Sequence, residues 1–228
     1  MKNPTQRKKE IQDSRTQTST LLVKALKENE NKVRTVVSAS GIGWYGPDPV
    51  TPNPKPFVET DDCYDDFLGN TCRAWEESIA PVTALGKRLV WLRTGIALSE
   101  TGGAMDKFKK PMQFGIAPIL GNGKQVMSWI HLDDLVRLYI YAIENEKVSG
   151  AYNAVAPFPI SNKSFTLKLA QEIKGKFFIP VYVPTFMLKL ILGEMSVEVL
   201  KSATVSCEKI KKAGFTFLYP DIAAAIRQ

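Results

Sequence analysis

Gly41-Ile42-Gly43-Trp44-Tyr45-Gly46 has the G-x-G-x-x-G spacing of a phosphate-cradling turn, yet the ten residues that follow, Pro47 to Pro56, contain five prolines. A phosphate cradle needs a helix straight after the glycines, because the helix's first amides and its dipole hold the anion. Proline lacks an amide hydrogen and biases the residue before it away from helical angles. The segment is therefore expected to be a strand end, from the β-branched run Val33 to Ser40, turning into an irregular loop.

The rest of the chain alternates helix and strand patterns. A helix is expected from Thr5 to Asn29 with an apolar stripe through Ile11, Thr18, Leu22 and Ala25. Another starts near Asp65 and carries Phe67, Leu68, Cys72, Trp75, Glu76 and Ile79, and Arg88 to Gly95 reads as a second apolar strand. Short connections between such elements point to an α/β layer with parallel strands. Gly102, Gly103, Gly115, Gly121 and Gly123 mark a loop-rich stretch, followed by a helix opened by Leu132-Asp133-Asp134 and a strand over Gly150 to Val155. Short helices are expected near 164–173, 185–192, 197–201 and 208–213, with a last one from Pro220.

Composition narrows the function classes. The 228 residues are 44% apolar and 23% charged, enough for a sizeable core. The net charge of +7 is spread over isolated lysine pairs with no aromatic interleaving, which argues against a nucleic-acid surface. An acidic small molecule suits the same field. Three cysteines without a C-x-x-C pair and a single histidine, His131, speak against a disulfide framework or a metal site, so the expectation is no metal and a reducing, cytoplasmic setting. No apolar run is long enough for a membrane span.

Several blocks in order resemble the extended short-chain dehydrogenase/reductase proteins: Ser38 to Gly46, Leu92 to Leu98 and Ser128 to Val136. Leu192 to Met195 and Ala213 to Asp221 narrow the likeness to the atypical subgroup called epimerase family proteins, which has its own C-terminal domain, here about 178–226. The resemblance implies a partial Rossmann-type parallel sheet over residues 1–100 and a small α+β substrate lobe with returning elements over 101–228. It implies NADP or NAD as cofactor and a polar metabolite, such as a nucleotide sugar, as substrate. It also implies that the strands holding the adenosine and pyrophosphate lie outside these 228 residues. The first strand here would then have an open edge, through which self-association is expected.

The same resemblance assigns candidate site residues. Ser40 and Tyr45 are the catalytic candidates, with Ser40 matching the hydroxyl that holds the reacting oxygen. Ser38, Ala39, Ser40, Arg93, Thr94, Gly95 and Ile96 are expected along the cofactor, and Trp129 and His131 beside the substrate. The superfamily's usual base is a tyrosine whose pKa is lowered by a lysine four residues later. None of the seven tyrosines here has that lysine. The reading is an NAD(P)-dependent epimerase or oxidoreductase-like protein with an atypical site. Its alternative is a binding module or inactive fragment. The competing readings of single residues are bland ones: strand-end bonding for Ser40, packing on the proline loop for Tyr45, a core thiol for Cys72, a cap or ring stack for His131.

Overall fold

A computed structural model describes residues 3–99 and 102–227. The expected boundary between the two regions, at 100/101, lies outside the described residues. The chain opens with α1 (Pro4–Glu28), whose Asn3 cap accepts a hydrogen bond from the Thr5 amide. It then forms β1 (Thr35–Gly41), α2 (Phe67–Ile79) and β2 (Arg88–Thr94). Asp66 caps α2 by accepting the Gly69 amide at 2.7 Å, the usual role of an acidic residue at that position.

β1, β2 and β7 (Gly150–Ala154) form a parallel sheet in the order β1-β2-β7. The register sets Ser40 beside Arg93 and Arg93 beside Asn153, with Gly41, Thr94 and Ala154 one step further on. The carboxyl ends of three strands thus finish level. The expected α/β layer with parallel strands is present.

α1 packs against α2 through a different stripe from the expected one. Val23 and Leu26 pack on Val36, Ile79, Val82 and Leu89, and Ser19 is buried, whereas Thr18, Leu22 and Ala25 are exposed. The helix carries two adjacent apolar rows, and the row that meets the sheet's own side chains is the one buried.

Past the sheet lies the lobe. β3 (Ile96–Leu98) pairs in parallel with β6 (Trp129–His131), and α4 (Leu132–Glu144) follows directly. The stretch read as loop-rich holds two regular elements, α3 (Gly103–Gln113) and β4 (Ile116–Leu120). Its glycines sit at the ends of these elements, where Gly102, Gly115, Gly121 and Gly123 all take positive φ. β4 pairs in parallel with β9 (Ile179–Val183), a strand that Pro180 conceals in the sequence. β5 (Val126–Met127) pairs antiparallel with β8 (Ile160–Ser161), and α5 (Asn162–Lys174) comes next.

The chain ends in α6 (Thr185–Leu192), α7 (Met195–Leu200), α8 (Glu208–Lys212) and α9 (Ile222–Ile226). These are no appendage. Cys207, Ile210 and Phe215 share one buried cluster with Tyr45, Leu92, Leu138 and Tyr152, while Ile222 and Ala225 pack with Leu98, Trp129 and Phe165 in a second. Asp134, fully buried in the first turn of α4, accepts the amides of Leu218 and Tyr219 at 2.8 Å each and Arg137 Nη1 at 2.8 Å. Among the described residues no helix is long and apolar enough to cross a membrane.

Candidate active-site cleft

At the carboxyl ends of β1 and β2 the strands open onto a cleft of about 690 Å³. Gly41 and Gly43 line it from β1 and the turn after it, Leu68 from α2, Thr94 and Gly95 from the end of β2, and Ile96 from the start of β3. The facing wall comes from the lobe and the C-terminal helices: Phe108 of α3, Met127 of β5, Leu188 and Ile191 of α6, and Glu198 of α7. This end of a parallel sheet is where α/β folds place ligands.

The glycine motif is explained by packing. After Gly41 the chain makes a single 3-10 turn, Ile42–Trp44, and then the proline loop, so no helix points its amides at the cleft. None of Gly41, Gly43 and Gly46 has positive φ. A Cβ on Gly43 would lie 3.1 Å from Leu68 Cβ, and one on Gly46 would lie 2.6 Å from the Tyr64 ring. Gly95 is more restricted still, since a Cβ there would meet the Ser128 carbonyl oxygen at 2.5 Å.

Behind the cleft lies a buried polar cluster. Glu76 of α2 accepts Ser40 Oγ at 2.7 Å and Arg93 Nε at 2.9 Å on one oxygen, and Arg93 Nη2 at 3.0 Å on the other. Arg93 Nη1 donates to Tyr45 OH and to the Glu59 carbonyl, both at 3.2 Å, and its guanidinium lies 3.7 Å from the centre of the Trp44 ring. Tyr45 donates in turn to Asn153 Oδ1 at 2.7 Å. The cluster joins the ends of β1, β2 and β7 to α2 and the proline loop.

The structure thus divides the candidate residues. Thr94, Gly95 and Ile96 line the cleft, whereas Ser38, Ala39, Ser40 and Arg93 do not. Ser38 Oγ is engaged by its own strand, at the Ala39 carbonyl. Tyr45 is fully buried, stacked on Phe57 of the proline loop, and burial pushes its phenol up to about 12. Such a phenol keeps its proton at neutral pH. Cys72 sits beneath the strand end with Sγ 3.5 Å from the Gly41 carbonyl, and burial pushes its thiol up to about 11.

Trp129 is fully buried in the lobe core, its indole donating to the Phe158 carbonyl at 3.0 Å. His131, not the aspartates, caps α4: its Nδ1 accepts the Asp133 amide at 3.2 Å, and its ring lies 4.1 Å from that of Tyr219. Neither Trp129 nor His131 lines the cleft. The C-terminal wall escaped the sequence reading, because Leu188, Ile191, Glu198 and Lys201 reach the cleft only through the packing of α6 and α7. The alternation of apolar residues with Lys189 and Glu198 was the only signal they offered.

Glu198 is the cleft's one carboxylate among the described lining residues. Burial raises its pKa; Lys201, which also lines the cleft, opposes this, and Asp66 adds to it. Lys201 is held on Asp66 Oδ2 at 3.2 Å, tying the end of α7 to the cap of α2.

Residues 183–228 match a family described as a domain of unknown function, DUF1731. Over 222 residues the chain is 33% identical to the epimerase family protein YfhF of Bacillus subtilis, a match covering 97% of this chain and 71% of that protein. The crystal structure of the human epimerase family protein SDR39U1 (isoform 2) with NADPH superposes with a TM-score of 0.88 at 27% identity, over 99% of this chain and 74% of that one. A nucleoside-diphosphate sugar epimerase from Corynebacterium glutamicum gives 0.76 at 32% identity, over 99% of this chain and 43% of that one. Fold, element order and sequence agree: the chain belongs to the epimerase family proteins, an atypical branch of the short-chain dehydrogenase/reductase superfamily.

Proposed function

We propose that this chain forms the nicotinamide-facing and substrate-facing walls of an NAD(P)-dependent epimerase or oxidoreductase site. The observation that carries the reading is the cleft at the carboxyl ends of β1 and β2, floored by Gly41, Gly43, Thr94 and Gly95. The three glycines of that floor let a flat ring lie against the backbone, and the likeness to SDR39U1 with NADPH supports that occupant. The fit covers the nicotinamide end alone, since the Gly41–Gly46 turn leads into prolines and offers the pyrophosphate no helix N-terminus.

Bound there, NAD(P) supplies hydride transfer. This chain's own part is to hold the floor rigid through the Ser40–Glu76–Arg93 cluster and to exclude water with the walls from α3 and α6. The C. glutamicum relative is named for nucleoside-diphosphate sugars, a class that the titrations below test on this chain. The free thiols of Cys63, Cys72 and Cys207 suit a reducing compartment, which fits a cytoplasmic protein.

Titrating the purified chain with NADPH, by calorimetry, tests the reading. Saturable binding is expected, and Gly41→Ala should weaken it with little change in melting temperature. A Cβ at Gly41 meets nothing closer than Cys72 Sγ and Gly43 N, both at 3.7 Å, an ordinary contact that leaves the strand end where it is. A folded chain that shows no saturable NADPH binding overturns the proposal. The second reading, a binding module without turnover, is favoured by the lack of any tyrosine with a lysine four residues on. Binding of NADPH with no hydride exchange would favour it.

A further inference from the structure

Most of the cleft's wall is hydrocarbon, from residues such as Ile42, Leu68, Phe108, Met127, Leu188 and Ile191. Its uncharged hydrogen-bonding side chains already have partners in the protein. Thr94 Oγ1 donates to the Leu92 carbonyl at 3.2 Å. Ser128 Oγ donates to the Ala203 carbonyl at 2.7 Å and accepts the Val205 amide at 2.9 Å. Asn162 Oδ1 accepts the Leu120 amide at 2.9 Å, and its Nδ2 faces Met127 Sδ at 3.8 Å. Of the charged groups, Lys201 is paired with Asp66 and Lys107 lies exposed at the rim.

A sugar carries several hydroxyls and a nucleoside diphosphate several more polar atoms. Each one taken from water without a partner costs about 1–3 kcal/mol. Among the described lining residues, the uncharged side chains offer no set of open partners to offset that cost. A hydrocarbon skeleton gains from the same walls about 25 cal/mol per Å² removed from water.

Resting on the reading that this cleft is the substrate site, we infer that its substrate is an apolar alcohol or ketone, with Glu198 meeting the single oxygen, and not a nucleoside-diphosphate sugar. Glu198 is placed for that contact as the one carboxylate among the described lining residues. Burial raises its pKa; ionised, it accepts the hydrogen of an alcohol, and protonated, it donates to a ketone oxygen. One polar contact in an apolar pocket fixes orientation while the skeleton supplies affinity.

The test is a calorimetric titration of the full chain, with and without NADPH, using cyclohexanone, decalone, a tricyclic ketone and UDP-N-acetylglucosamine. Ketone affinity should rise with size, by up to about fourfold per methylene buried. Ile191→Asn should weaken decalone several-fold. Ile191 is 69% exposed, so the variant is expected to fold normally. The inference is overturned by tighter binding of the nucleotide sugar than of decalone, by ketone affinities that stay flat with size or are absent, or by indifference to Ile191→Asn. NADPH binding on the same samples reports the cofactor reading separately. Its loss would sink that reading and leave the ketone series interpretable.

Discussion

Arg93 grips both carboxylate oxygens of Glu76, through Nε at 2.9 Å and Nη2 at 3.0 Å, with each residue less than a tenth exposed. The pair is the joint between the end of β2 and the helix that carries Leu68 and Cys72. A buried pair of this kind adds little net stability over an apolar pair of equal volume, yet breaking it strands a charge. Arg93→Ala is expected to cost about 3–5 kcal/mol in urea denaturation, and the double variant Arg93→Met with Glu76→Leu considerably less. Equal losses in the two would mean that the charges contribute through something other than each other.

Alkaline pH should unfold this chain earlier than an exposed set of acids would. Burial pushes Tyr45 up to about 12, and Cys72 and Cys207 each to about 11. A raised acid holds its proton in the folded chain after the unfolded chain has lost it. Stability is therefore complete below the unfolded values of 9–10 and falls as pH rises towards 11–12. Denaturation midpoints measured from pH 8 to 11.5 should fall, and Tyr45→Phe should flatten the upper part of that fall. An unchanged slope in Tyr45→Phe would remove Tyr45 from the account.

Asp134→Ala should release the chain's end while leaving the sheet intact. The fully buried carboxylate accepts two backbone amides and Arg137, and hydrogen bonds to a charged group are worth about 1.5–3 kcal/mol each. Faster hydrogen exchange confined to residues 215–227 is the expected signature. Uniform exchange across the molecule would show that the tail and the sheet unfold as one.

Among the described residues β1 has a strand on one side only, β2, so its other edge is open. Open edges recruit strands. Sedimentation velocity should find species above the 25.4 kDa of one chain, growing with concentration. A monomer across the whole range, melting cooperatively, rules out association through this edge.

The sheet-forming elements were legible because their signals are local. Val36 and Val37, and Leu89 to Leu92, are β-branched or apolar runs bounded by turns, and Asp66 stands where a helix cap should. α3, β4 and β9 were hidden by Pro111, Pro118 and Pro180, each of which sits inside a regular element. The site was half legible. Thr94, Gly95 and Ile96 follow from a strand's end, but Arg93, one residue earlier, points the other way into the interior. Nothing local says that its partner is Glu76, seventeen residues back. The part of the cleft's far wall that α6 and α7 supply begins at Leu188, more than ninety positions beyond Gly95 on the floor, a distance that periodicity does not cross.

The proline loop makes its own seam with the C-terminal region. Asp48 receives Ser202 Oγ, the Thr204 amide and Thr204 Oγ1, each at 2.8 Å, and Phe57 bridges Val205 while its amide donates to Thr204. The stretch matching the domain of unknown function is therefore grafted, at its middle, onto a rootstock some 150 residues upstream. Chimaeras that exchange residues 183–228 between family members should need the partner's loop, 47–60, to travel with them.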